Sequence, residues 1–346
     1  MSSRPTRPSL ATAVSTVAAI TVAAVALPIN AAAAASRPAL GPDRRTAVPD
    51  RPGTAALRWG PCPVDVAAHP AQRCADLSVP MDYRDPGGRP LTIRISRIPA
   101  ADPARRLGTL VLSPGGPGIG GLDEPADRYR EDEPAELRDR YDLVGFDGRG
   151  IRHSSPITCR LAGPVPLMRY PAPDGSITHT VAHARRAARS CERHAGDLLP
   201  HLTTANTARD LDRIRAALGE ARISFKGLSY GTYLGAVYAT LFPHRTDRVV
   251  LDSAVDPRRV WYDFIRLGGA GLAERLPDLT AWIAARPDTY RLGSTAGEVG
   301  RRYRAITAGL DAAPRPYPGV TIDGNWLRAV TREGLGMPGT AAFPVL

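Results

Sequence analysis

One hexapeptide, Lys226-Gly227-Leu228-Ser229-Tyr230-Gly231, restricts the fold of this 346-residue chain more than any other segment. Residues 221–225 carry Ile223 and Phe225 as a short buried strand. Residues 230–241 then set Tyr233, Leu234, Val237, Tyr238 and Leu241 at helical spacing. That helix is expected to stop at Phe242-Pro243, and Arg248-Val249-Val250-Leu251-Asp252 reads as another strand. A serine at such a junction sits on a sharp, strained strand-to-helix turn, with its oxygen clear of the sheet. Side chains two residues before and after it would collide with the opposite arm of the turn. Gly227 and Gly231 have no Cβ and remove the collision. Ser229 is therefore a candidate nucleophile for acyl transfer.

A second constellation has the same logic. Gly108 to Leu112 is an apolar run, followed at once by Ser113-Pro114-Gly115-Gly116-Pro117-Gly118-Ile119-Gly120-Gly121. A glycine-rich turn after a strand points backbone N–H groups into a cavity. Beside a nucleophile elbow, such a loop donates one N–H to a developing oxyanion, and the residue after the serine donates the other. The candidates are Gly115 or Gly116, and Tyr230. A phosphate loop does not fit: there is no G-x-x-x-x-G-K-[ST], and Pro114 and Pro117 have no N–H to give.

Leu91 to Ile98, residues 108–112 and Tyr141 to Phe146 read as strands, with Asp147-Gly148-Arg149-Gly150 as a turn at a strand end. Residues 180–199 and Thr207 to Leu218 read as helices, the second with a stripe of Leu211, Ile214, Ala217 and Leu218. Strands alternating with helices predict an α/β fold with a mostly parallel sheet. Ligands bind such sheets at the carboxyl ends of the strands, where both Ser229 and the glycine loop fall. Beyond Asp252 the apolar residues take helical spacings: Trp261, Phe264, Leu267 and Leu272; Leu279, Trp282 and Ile283; Val299, Tyr303 and Ile306. Residues 321–334 read as one more helix, and no further run continues the sheet.

The first 35 residues read as a secretory signal: Arg4 and Arg7, an apolar stretch from about Leu10 to Leu27, then small residues ending Ala33-Ala34-Ala35. Residues 36–56, rich in Pro, Ala and Arg, read as a disordered linker. Export predicts a secreted protein with no membrane attachment after the signal is removed. It also gives meaning to the four cysteines, Cys62, Cys74, Cys159 and Cys191, an even number suited to an oxidising compartment. Three pairings are open, and nearness in sequence favours Cys62–Cys74 with Cys159–Cys191. No C-x-x-C pair accompanies them, so no metal is expected. The net charge of +11 does not predict a nucleic-acid partner. The arginines are scattered among Asp and Glu rather than striped, and only one basic residue, Lys226, is a lysine.

These residues resemble the secreted tripeptidyl/prolyl aminopeptidase-like branch of the α/β-hydrolases. The likeness is carried by Trp59 with Cys62 and Cys74, by Val79-Pro80-Met81-Asp82-Tyr83 and by Ser113-Pro114-Gly115-Gly116-Pro117-Gly118. It continues through Val144-Gly145-Phe146-Asp147-Gly148-Arg149-Gly150, Gly227 to Gly235 and Asp252-Ser253-Ala254-Val255-Asp256-Pro257. The resemblance implies a core over 57–258 and a helical cap inserted after the sixth strand, here 259–346. It also implies a serine peptidase acting on peptide amino termini, with no cofactor. An esterase or lipase-like hydrolase acting on esters, and a non-catalytic remnant, are the alternatives; nothing in the sequence sets an oligomeric state. Two departures stand out: Gly148 where the family usually has proline, and the Ile151-Arg152-His153-Ser154 turn.

In this fold the acid and histidine follow the serine in sequence, and the resemblance places them on the last two strands, after the cap. The chain ends at Phe343-Pro344-Val345-Leu346, within the expected cap, so those strands are expected to be missing and catalysis impaired. Removing a triad member leaves roughly 10³–10⁴-fold over water. His244 follows Ser229 by fifteen residues, about 20 Å along a helix, beyond hydrogen-bond reach. His153 precedes the serine, and Asp252 is expected to serve a turn. The strand at Val249 is then an open apolar edge.

Overall fold

The computed structural model describes residues 57–67, 69–130, 134–161, 170–172, 174–336 and 343. The expected signal (1–35) and linker (36–56) lie outside them. In chain order the elements are β1 (Arg73–Pro80), β2 (Pro90–Ile98), β3 (Gly108–Ser113), α1 (Glu124–Arg130), α2 (Ala135–Arg140), β4 (Tyr141–Phe146), α3 (Thr178–Ala195) and α4 (Thr204–Ala217). They continue with β5 (Ile223–Leu228), α5 (Tyr230–Leu241), β6 (Thr246–Asp252), α6 (Tyr262–Ala284), α7 (Pro287–Tyr290), α8 (Ala296–Ala312), β7 (Arg315–Tyr317), β8 (Val320–Ile322) and α9 (Gly324–Gly336).

Six strands form one sheet in the order β1-β2-β4-β3-β5-β6. The pairs β3–β4, β3–β5 and β5–β6 are parallel, while β1–β2 and β2–β4 are antiparallel. The sequence follows this division. Central β3 and β4 are buried at every position, as parallel strands covered on both faces must be. The outlying β1 alternates, with Leu77 and Val79 inward and Asp76 and Ser78 outward. This strand was not foreseen: its one clear alternation is short and interrupted by Cys74, which is tied to Cys62. Both nearest-neighbour pairings are formed, Cys62–Cys74 and Cys159–Cys191.

One core joins Ile93, Ile95, Val111, Val144 and Phe146 of the sheet to Leu211 and Ile214 of α4 and to Leu234 and Tyr238 of α5. Helix α4 begins three residues earlier than its apolar stripe suggests, because the Thr203 hydroxyl accepts a hydrogen bond from Asn206 N and caps it. A smaller core of Leu279, Leu335 and Phe343 holds the segment after β6. The helix expected over 321–334 is corrected there. Val320-Thr321-Ile322 is β-branched and pairs antiparallel with Arg315–Tyr317 around Gly319, whose φ of +80° suits a tight turn. The helix proper starts at Gly324, where Asp323 Oδ1 accepts from Trp326 N at 2.7 Å. This hairpin is separate from the main sheet.

Candidate active site

Topology brings the two glycine-bearing segments together. Strands β3 and β5 are parallel neighbours with Ser113 opposite Gly227. The loop leaving β3 and the turn leaving β5 therefore emerge side by side at the same end of the sheet. Ser229 joins β5 to α5 with φ 50° and ψ −115°. A non-glycine residue seldom occupies this region, and the strain is of the order of 1–3 kcal/mol. Its N–H donates to the Asp252 carbonyl at 2.9 Å, and its carbonyl accepts from Thr232 N and Thr232 Oγ1. The steric need for glycine is direct. A Cβ on Gly227 would lie 2.4 Å from the carbonyl carbon and oxygen of Gly231, and one on Gly231 would lie 2.8 Å from the Ser113 carbonyl oxygen.

The β3 loop runs against the serine. A Cβ on Gly115 would stand 3.1 Å from Ser229 Cβ, and Gly116 takes a φ of +75°. Tyr230 opens α5, so its N–H is one of the unpaired donors of a helix start. Its phenol is bonded to Thr204 Oγ1 at 3.0 Å, and burial pushes it above the usual tyrosine range. Its ring stacks on Trp261 at 5.9 Å. Gly116, Tyr230 and Trp261 contribute to a cleft of about 520 Å³, whose walls include Ile119, Ile151, Leu202 and Leu234. Among the described residues, no histidine, aspartate or glutamate lines it, and neither Ser229 nor Gly115 is on its wall.

The three other residues weighed from the sequence lie as follows. His153 turns its Nε2 to the Asp65 carboxylate at 3.2 Å. His244 lies in a short 3₁₀ turn beyond the far end of α5. Asp252 ends β6, and its carboxylate oxygen accepts from its neighbour Ser253 at 3.2 Å.

Sequence reading missed the scaffold behind these residues. Arg149, 3 % exposed, donates through Nε and Nη2 to both carboxylate oxygens of Asp210 at 2.7 and 2.6 Å. It also donates to the carbonyls of Pro80, Met81 and His201. The Tyr83 hydroxyl donates to Asp210 at 2.8 Å. Burial pushes the Asp210 carboxyl upward. Two guanidinium bonds and a phenol oppose that push. One side chain thus binds the end of β1, the loop after β4 and helix α4 into the floor of the cleft. The partners are 61 residues apart, and nothing local announces them.

The comparisons agree with this architecture. A family described as the alpha/beta hydrolase fold matches residues 108–316. The chain is 40 % identical over 280 residues to the tripeptidyl aminopeptidase of Streptomyces lividans, covering 78 % of this chain and 51 % of that one. It is 35 % identical over 210 residues to serine protease Hip1 of Mycobacterium tuberculosis, covering 58 % and 40 %. Carboxylesterase B of Mycobacterium tuberculosis is 32 % identical over 265 residues, covering 74 % and 50 %. The chain belongs to the α/β-hydrolase family. It spans about half the length of the curated relatives it matches.

Proposed function

We propose that this chain belongs to a secreted serine peptidase that removes short peptides, of tripeptidyl or prolyl type, from amino termini through an acyl-enzyme. The observation that supports it most is the strained Ser229 turn, packed against the Gly115–Gly116 loop, in a chain 40 % identical to a tripeptidyl aminopeptidase. In this reading Ser229 Oγ attacks the scissile carbonyl carbon. The oxygen of that carbonyl becomes an oxyanion, held by the N–H of Tyr230 and that of Gly115 or Gly116. The amine leaves with a proton, and water then releases the acyl group from Ser229. The serine proton passes to a general base, and no histidine or carboxylate among the described residues lining the cleft supplies it.

Two disulfides support an oxidising compartment, and among the described residues no helix is long and apolar enough to cross a membrane. The likeness to a carboxylesterase favours one second reading, an ester substrate at the same serine. A fluorophosphonate probe with intact-mass detection tests both. One adduct is expected on the parent chain and none on Ser229→Ala; an adduct that survives the substitution sinks the nucleophile assignment. Release rates on tripeptide and ester chromogens then separate peptidase from esterase.

A further inference from the structure

The carboxylate of Asp147 lies directly beyond β4, fully buried, and has no part in the chemistry above. It is not idle. Oδ1 accepts from Gly121 N at 2.9 Å and from Leu122 N at 3.4 Å, and Oδ2 accepts from His153 N at 3.0 Å. Its main chain is fixed as well: its N–H donates to the Arg94 carbonyl, and its carbonyl accepts from Ser154 Oγ at 2.7 Å. Gly120 and Gly121 are pressed onto this point. A Cβ on Gly120 would fall 2.6 Å from Asp147 Oδ1, and one on Gly121 would fall 2.5 Å from the Phe146 carbonyl oxygen.

The consequence concerns the loop over 113–121. One end is held by the β3–β5 ladder, where Ser113 faces Gly227. The other end is held by two backbone N–H groups on one buried carboxyl group. Gly115, which stands against Ser229, and its neighbour Gly116 lie between the anchors. We propose that Asp147 is the positioning residue for this loop, fixing the Gly115 and Gly116 amides relative to Ser229. This rests on the reading of Ser229 as the nucleophile. The same carboxylate holds His153 N, so it couples the glycine loop to the 148–154 turn, which supplies Gly148, Gly150 and Ile151 to the cleft. Oxyanion donors work only at the right place, and a misplacement of about 1 Å can cost about 100-fold in rate.

The test uses Asp147→Ala and the isosteric Asp147→Asn, with two readouts on the full chain. The first is the second-order rate of fluorophosphonate labelling, with Ser229→Ala as background. The second is amide hydrogen exchange of a peptide spanning 114–123, compared with peptides from β3 and β4. Asp147→Ala is expected to slow labelling about 100-fold and to raise exchange in 114–123 alone. Asp147→Asn retains one carbonyl acceptor for Gly121 N and is expected to fall between. Labelling and loop exchange that match the parent in both variants overturn the proposal. So does exchange that rises equally in β3 and β4, since Asp147 would then hold the core and not the loop. If the parent labels no faster than Ser229→Ala, the serine is not activated in this chain, and the exchange data alone decide whether Asp147 anchors the loop.

Discussion

Ser229 carries its strain in the backbone, not in its hydroxyl, and that separates stability from chemistry. At φ 50° and ψ −115° the Cβ is the source of the cost, so replacing the serine by alanine removes the hydroxyl and keeps the strain. Glycine removes both. Ser229→Gly is expected to melt higher than Ser229→Ala, by on the order of 2 °C or more per kcal/mol relieved, read by differential scanning calorimetry. Equal melting temperatures would mean the turn is unstrained. This residue was legible from the sequence because its requirement is local: a G-x-S-x-G spacing between a strand and a helix states the geometry in five letters. Asp147 stood in plain view as a turn residue, but the two loop amides its carboxylate holds are 25 and 26 residues away, and no spacing rule reaches them.

The elements show the same split between local and distant causes. The strands β3, β4 and β5 and the helices α4 and α5 follow from apolar periodicity, and the carboxyl-end position of the site follows from them. The pairing of β2 with β4, and the ion clusters that tie strands to loops, do not. Asp142 in β4 is an example: Arg97 and Arg106 donate to its Oδ2 at 2.8 and 2.7 Å, and Ala100 N donates to its Oδ1 at 2.9 Å. Burial by itself would push this carboxyl up, but the bonds from Arg106 and Ala100 and the two positive charges outweigh it and hold it below the ordinary range. The sign follows. A carboxyl lowered by folding stabilises fully above its unfolded value near 4, and that contribution is lost as pH falls through the lower folded value. Asp142→Asn is therefore expected to lower the melting temperature at pH 7 and to converge on the parent as pH falls below the ordinary carboxylate range. Thermal melts across that range decide it; a gap that widens on acidification would contradict the assignment.

At the scale of the molecule, the sheet is closed unevenly. Strand β1 flanks one side with alternating, half-polar residues, whereas β6 on the other side pairs only with β5 among the described strands. There Val250 is 52 % and Leu251 40 % exposed. An apolar strand with unpaired N–H and C=O groups is a template for another chain. Val250→Lys is expected to reduce concentration-dependent association in static light scattering while leaving the melting temperature within a degree or two; unchanged scattering would show that this edge is not the sticky one. The helical segment after β6 touches the cleft through Trp261, half exposed and stacked on Tyr230, the residue next to the serine. The chain has four tryptophans, and this is the one on the cleft wall. Its indole therefore gives the protein a built-in optical signal: whatever fills the cleft displaces water from that ring and shifts its emission, so occupancy can be followed by light alone, before any bond is broken.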